Sequence, residues 1–453
     1  MPQTLQTDYL IIGAGAMGMA FADELVSQSR DVSIILVDRR SKPGGHWNNA
    51  YSFVTLHQPA VFYGVNSVAL ATSVDDLASA SRMQAYYERV MDKLCASGQV
   101  RFLSQCSYEG QGQIRSLSST DVSYQVTVRK RTVDASYSRV EVPSTRPPAY
   151  GVADGISLIP INGLAALDRP WDRYVVIGAG KTGMDALLFL LDRGVDPDKL
   201  TWIISNDCWL IPRKDTLPKA TPTRMPKQMR CLIECRSLQD VYDRFEARGW
   251  ILRLDKAIAP TKFRCATVSL EELDKLRALP HKVRMGRVQR IESTQIVLAE
   301  GVIPTNKDVL HIDCTAHGLA RRPARPIFEE GKITLQPVTL CQPAFSACFI
   351  GMVEMRRDDD ATKNTYCTPV PHPEHPVDIV SCSLHSFTNA ITWLKPFGWW
   401  LTRCRLGIVR HLSVLEAISL LISLIRFLGP ASRSLEQIQL SHSEALPADA
   451  EQP

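Results

Sequence analysis

The sequence predicts an α/β fold with two parallel-sheet βαβ units, the first interrupted by the second, and a helical C-terminal extension. Three observations carry this. Residues 8–13 (DYLIIG) and 174–178 (YVVIG) are short apolar runs ending in glycine, as buried parallel strands do. Each enters a glycine-rich turn and a helical pattern, and each helix leads to a second apolar run, SIILVD at 33–38 and TWIIS at 201–205. The two turns lie 165 residues apart (178 minus 13), which is no solenoid repeat, whose period is roughly 20–50 residues. Two nucleotide-type domains in one chain account for the pattern.

The first helix is expected from Met17 to about Ser27, where Met17, Ala20, Phe21 and Leu25 recur at helical spacing. The second is expected from Met184 to Asp192. Between the units, VSYQVTVRK (122–130) alternates like the antiparallel strands often inserted in such domains. TRPPAYGVADG (145–155) is a turn-rich boundary. Residues 213–230, with seven charges and three prolines, read as a loop. TQIVLAEG, DVLHIDCTAHG and AFSACFIGM read as further strands. The region from about 384 is apolar and helical, and its longest uncharged run, AISLLISLI (417–425), falls short of the roughly 20 residues that span a bilayer. It predicts a packed or interfacial helix, with membrane contact as the less favoured use.

Composition narrows the function classes. Of the 453 residues, 45% are hydrophobic and 22% charged, as in an ordinary globular protein, and the net charge of +5 gives no support to nucleic-acid binding. The N-terminus shows no secretory pattern, so a cytoplasmic location is expected. The twelve cysteines form no C-x-x-C pair and no zinc spacing, which predicts free thiols. His372 and His375 lie in a proline loop without nearby ligands, so no metal site is expected.

The first turn is Gly13-Ala14-Gly15-Ala16-Met17-Gly18. Gly13 permits the tight turn, Gly15 lets backbone approach a pyrophosphate, and Gly18 lets helix and strand pack closely. The helix N-terminus then offers unsatisfied N–H groups to phosphate. Asp38 ends the second strand, twenty positions after Gly18, where a carboxylate takes the ribose hydroxyls of adenosine. The second turn is Gly178-Ala179-Gly180-Lys181-Thr182-Gly183. It is not a P-loop, because position 175 is Val. The place equivalent to Asp38 falls at about Ser205 or Asn206. Neither is acidic, and Arg213 and Lys214 lie beyond, where they could bind a 2′-phosphate, so NADPH is expected there and NADH is possible. Asp207 pulls the other way.

Gly44-Gly45-His46-Trp47, after the acidic strand, resembles the GG-x-W element of flavin-containing and Baeyer–Villiger monooxygenases. The second turn with Met184-Asp185 resembles the G-x-G-x-S-G-x-D of the same group, with Thr182 in place of Ser. Asp313-Cys314-Thr315-Ala316-His317-Gly318 resembles the strand end that links the cofactor domains of two-dinucleotide flavoproteins, and Phe349-Ile350-Gly351 resembles a late strand whose glycine passes near the flavin. The chain thus resembles a class B flavin-dependent monooxygenase over about residues 8–352. The F-x-G-x-x-x-H-x-x-x-W element of that group is absent, which bears on oxygen insertion more than on flavin binding.

The resemblance implies two Rossmann-like dinucleotide-binding domains: an FAD domain over 1–165, an NAD(P) domain over 166–300, and a return to the FAD domain over 301–383. A helical region at 384–435 and a disordered tail at 436–453 complete the expectation. FAD would contact Gly13, Gly15, Gly18, Asp38, Gly45, Trp47 and Gly351. NADPH would contact Gly178, Gly180, Lys181, Thr182, Gly183 and Arg213. Leu56-His57-Gln58-Pro59 sits where the monooxygenases carry an Asn-Pro-like pair beside the flavin, which makes His57 and Gln58 the catalytic candidates. The implied reaction takes hydride from NAD(P)H and inserts one atom of O2 into a small, hydrophobic organic substrate. The alternatives are a flavin dehydrogenase, reductase or oxidase without oxygen insertion, and a flavin-binding protein without catalysis. Without a C-x-x-C or C-x-x-x-x-C pair beside either turn, disulfide reduction is not expected.

Overall fold

The structure, a computed structural model, describes residues 2–316, 318–320 and 322–444. The chain opens with strand β1 (Gln3–Ile12), helix α1 (Ala16–Gln28) and strand β2 (Ile34–Val37). Helix α2 (Ala80–Ala96), strand β3 (Val100–Leu103) and the long strand β4 (Ser123–Asp134) follow. The order β3-β2-β1-β4 is parallel throughout. The 122–130 stretch is therefore not part of an antiparallel insertion alone: β4 runs parallel beside β1 and antiparallel only to Gln113–Ser116. Its pairing closes the open edge of β1. That central strand is apolar on both faces, with Tyr9 and Ile11 in one core cluster and Leu10 in another.

The second unit holds β5 (Ser157–Pro160), β6 (Arg173–Ile177), α3 (Lys181–Asp192), β7 (Leu200–Ile203), β8 (Cys208–Pro212), helix α4 (Thr221–Glu234), β9 (Lys262–Val268), β10 (His281–Val283) and β11 (Val309–Asp313). The order β10-β7-β6-β11-β5 is again all parallel, and β8 and β9 form a separate two-stranded parallel pair. Tyr174 and Val176 face one core, Val175 and Ile177 the other. The chain then returns to the first sheet, where β12 (Lys332–Thr334) pairs parallel with β4. The fold is thus two Rossmann-like domains, the first interrupted by the second. Second-sheet strands run from Ser157 to Asp313, outside the expected limits of 166 and 300 on both sides. Strands β5 and β11, apolar runs separated from β6 in sequence, complete its sheet.

Three long helices, α5 (Pro343–Arg356), α6 (Asp378–Leu401) and α7 (Val414–Glu444), close the chain, with a short helix at Asp360–Tyr366 between the first two. Residues 344–352, expected as a strand, lie in α5. Ala344 to Val353 are all buried, and a helix covered on every side has no period to read. Residues 221–230, expected as a loop, begin α4. Pro222 sits in the first turn, where a missing N–H costs nothing, and Met229 and Leu232 bury against Leu428 and Leu435 of α7. That packing offsets Pro226 inside the helix. The same contact corrects the tail: α7 continues to Glu444, with Leu435 and Ile438 buried. The rest of the expected tail, 445–453, lies outside the described residues.

Candidate active site

In the first turn Gly13 adopts φ +107° and Gly44 φ +106°, the left-handed region that only glycine enters freely. A Cβ on Gly18 would stand 2.0 Å from the Gly13 carbonyl oxygen, so α1 crosses β1 too closely for any other residue. Gly44 N–H donates to the Ala14 carbonyl (2.8 Å), and a Cβ on Gly45 would lie 3.0 Å from Gly15 Cα. The Gly44-Gly45 element is thus pressed against the first turn. Asp38 is buried, and its two carboxylate oxygens accept from the N–H groups of Ala14 and Arg40, both at 2.8 Å.

The second turn repeats this. Gly178 adopts φ +124°, and a Cβ on Gly183 would meet the Gly178 carbonyl oxygen at 2.1 Å. Behind it runs Cys314, whose N–H donates to the Ile177 carbonyl (2.9 Å), as the Ala135 N–H donates to Ile12 behind the first turn (3.0 Å). The Asp313-Cys314-Thr315 segment therefore packs behind this turn, while His317 lies outside the described residues. Ile12 pairs with Val37, and Ile177 with Ile203. That register puts Ile204, not Ser205 or Asn206, in the place of Asp38. Ile204 is buried in the apolar core.

Both helices start at a glycine, Gly15 and Gly180, with no side-chain cap and no acid in the first turn. Their free N–H groups and positive dipole ends face one cavity of about 1530 Å³. Single-ligand pockets hold roughly 300–1,000 Å³, so this one has room for two dinucleotides. Gly13, Gly15, Asp38, Gly45, Gly178, Gly180, Lys181 and Thr182 line it, as do His57 and Gln58, while Gly18 and Gly183 sit beneath the turns. Lys181, at the first position of α3, is ion-paired with Asp185, which also accepts from the Tyr51 hydroxyl (2.5 Å). Phe53 stacks on Phe189 of α3 at 3.9 Å between centroids, so the 51–58 loop of the first domain is seated on the second.

That seating fixes the two catalytic candidates. Burial, aided by Lys181 and Arg213, pushes the His57 imidazole down to about 4, so it is neutral near pH 7. Its Nδ1 is buried without a hydrogen-bond partner among the described residues. Gln58 is buried and accepts from Gln342 Nε2 at 3.3 Å.

Besides Gly18 and Gly183, three expected contacts are absent from the wall. Trp47 points into the first core, leaving His46 and Asn48 on the cavity side. Gly351 lies on α5, where a Cβ would press on Phe21 and Glu24 of α1 at 3.2–3.4 Å, so its role is helix packing. Arg213 is held by both oxygens of Glu272 (2.6 and 2.8 Å). Both bonds come from Nη2, and Nε donates to the His57 carbonyl (3.4 Å), which holds the side chain off the cavity wall.

Comparison with known proteins follows from this geometry. Residues 11–73 match a family model described as an NAD(P)-binding Rossmann-like domain. An uncharacterized protein of Mycobacterium tuberculosis, Rv2000, is 44% identical over 428 residues, covering 90% of this chain and 79% of its own length. An uncharacterized protein of Mycobacterium bovis, Mb2023, matches to the same extent. The chain belongs to this family. Among solved structures, the open form of cyclohexanone monooxygenase aligns with a TM-score of 0.50 at 12% identity, over 78% of this chain and 88% of that one. A flavin monooxygenase from Stenotrophomonas maltophilia aligns with a TM-score of 0.47 at 16% identity, over 80% and 99%. At 12% identity, the likeness to cyclohexanone monooxygenase is one of fold.

Sequence reading missed several wall residues of this family member. Arg287 is exposed and lines the same cavity as Ser205 and Asn206, and no ion pair engages it among the described residues. Nothing in its local sequence marks it. Cys265 and Cys341 also line the cavity and are joined as a disulfide, contrary to the expected free thiols; the other ten cysteines are free. They are 76 residues apart, so no spacing motif could show them. His372, set aside as half of an isolated pair, has a ring nitrogen within 4.8 Å of both sulfurs.

Proposed function

We propose that this protein is an FAD- and NAD(P)H-dependent oxidoreductase, acting as a monooxygenase on a small, hydrophobic organic substrate. The carrying observation is the pair of uncapped helix N-termini, each behind a glycine turn, opening on one cavity large enough for two dinucleotides. FAD would fit the first turn: Asp38 would take the ribose diol, Gly13 and Gly15 would leave room for the pyrophosphate, and Gly45 packs against the turn at Gly15. The nicotinamide nucleotide fits the second, with Gly178, Gly180, Lys181 and Thr182 around its phosphates. With Ile204 in the acidic place and Arg287 on the wall, NADPH suits this turn better than NADH.

When bound, the flavin supplies two-electron redox chemistry and reactivity toward O2. The chain's own part is to position and to exclude water. Neutral His57 and the Gln58 amide, braced by Gln342, present polar groups to the reacting face. Tyr51 and Phe53 hold that loop against α3. We place the work in the cytoplasm. Val414–Ser441 of α7 is long and apolar enough to cross a membrane by length and composition alone. Its docked C-terminal half favours a surface contact instead, made by the exposed Val414, Leu415, Ile418, Ile422 and Ile425.

The test is purification followed by a visible spectrum and titration with NADPH and NADH in air, with products assayed. A yellow protein that oxidises NADPH and yields oxygenated product is expected. A colourless protein inert to both nucleotides would end the reading. Stoichiometric peroxide without oxygenated product would leave the flavin assignment and remove the oxygenase. A reductase without oxygen insertion is the second reading, favoured by the disulfide in the cavity wall.

A further inference from the structure

The Cys265–Cys341 bond joins the two domains. Cys265 lies on β9, and Cys341 lies just before Gln342, the residue that precedes α5 and braces Gln58. The ladder between β8 and β9 slips here: Trp209 pairs with Phe263 and Leu210 with Ala266, so Arg264 and Cys265 bulge out. A bulge re-aims a side chain, and this one aims at the cavity. Both cysteines carry a left-handed backbone, φ +53° and +55°, which side-chain-bearing residues rarely adopt and which clusters at functional sites. The α5 N-terminus beside Cys341 has no cap side chain and no acid in its first turn, a setting that favours a thiolate. A chain that leaves ten other cysteines free does not use disulfides as general staples.

Resting on the proposed function, we infer that Cys265–Cys341 is a redox-active disulfide, a second two-electron centre in the cavity wall, reduced to a dithiol by the electrons of the dihydronicotinamide, with His372 as its proton donor and acceptor. The balance is NAD(P)H plus one proton plus the disulfide, giving NAD(P)+ and two thiols. The S–S bond breaks. The dihydronicotinamide loses a hydride, which carries both electrons and one proton, and the second proton enters from solvent through His372. His372 is exposed on the cavity wall, where solvent exchanges protons with its ring and a ring nitrogen lies within 4.8 Å of both sulfurs.

The experiment uses the yellow holoprotein under anaerobic conditions. Iodoacetamide is added before and after NADPH, and Cys265 and Cys341 are read by peptide mass spectrometry while the flavin band is followed. Expected are no label before NADPH, label on both cysteines after it, and two equivalents of NADPH consumed per chain. In Cys265→Ser the flavin still bleaches and consumption falls to one equivalent. Bleaching without label overturns the inference and leaves the proposed function standing. Label before any reductant overturns it as well, because no disulfide was there. Neither bleaching nor label removes both.

Discussion

A Cβ on Gly18 would lie 2.0 Å from the Gly13 oxygen, and a Cβ on Gly183 would lie 2.1 Å from the Gly178 oxygen. The same backbone has been built twice, each with a neighbouring strand end, Ala135 or Cys314, laid behind it. The turns differ in what completes them. The first has Asp38 tied to two backbone N–H groups and a glycine pair behind it. The second has buried Ile204 in the acidic place, Lys181 at the helix start, and Arg287 across the wall. On the proposed function, the shared backbone would set where a dinucleotide's phosphates go, and the side chains around it would set which dinucleotide it is.

The sharpest break of that comparison is to spoil each backbone separately. Gly18→Ala and Gly183→Ala force a methyl group onto a carbonyl oxygen, and each should cost about 1–3 kcal/mol or more. In denaturant titrations both variants should unfold earlier. Their losses should separate: Gly18→Ala loses the flavin absorbance, while Gly183→Ala stays yellow and fails to oxidise NADPH. Loss of flavin from both variants alike would mean the second turn holds no separate ligand.

A smaller effect should come from Asp38→Asn. The amide keeps one acceptor and sets an NH2 against a backbone N–H that the carboxylate had accepted, which should cost about 1–3 kcal/mol. Flavin retention on dialysis should fall while NADPH affinity of the retained holoprotein does not. Smaller again is Arg287→Ala. Removing one charge-assisted contact, worth roughly 1.5–3 kcal/mol, should raise KM for NADPH about tenfold or more and leave KM for NADH unchanged. Equal effects on both nucleotides would take Arg287 off the 2′-phosphate.

Most of the frame was legible because local pattern dictates it. Gly13, Gly178 and the apolar strands announce both βαβ units, and the absence of a partner for the Asp38 role was readable before its place was known. The register was not: counting residues pointed to Ser205 or Asn206, whereas hydrogen bonding aligns Ile204. The readings failed where burial is complete or contacts are distant. Residues 344–353 are apolar all round, so strand and helix look alike, and Gly351 went with the wrong element. Arg213 looked available because its partner, Glu272, is 59 positions away. Cys265, Cys341 and His372 meet only through tertiary structure.

The smallest effect concerns one neutral histidine at each turn. Burial first, then Arg40, brings His46 down to about 4, and burial with Lys181 and Arg213 does the same for His57. Both lie below the ordinary 6.5. The unfolded chain therefore takes up these protons first as pH falls. The stability they contribute is complete above pH 6.5 and is lost as pH falls from 6.5 toward 4. Tm measured across that window should drop less steeply in His57→Gln than in the parent, and less steeply still when His46→Gln is added. If the two slopes change independently, the histidines respond as separate sites, one per turn. A His57→Gln slope identical to the parent's would show that the imidazole is already solvated, and the water-excluding part given to the 51–58 loop would go with it.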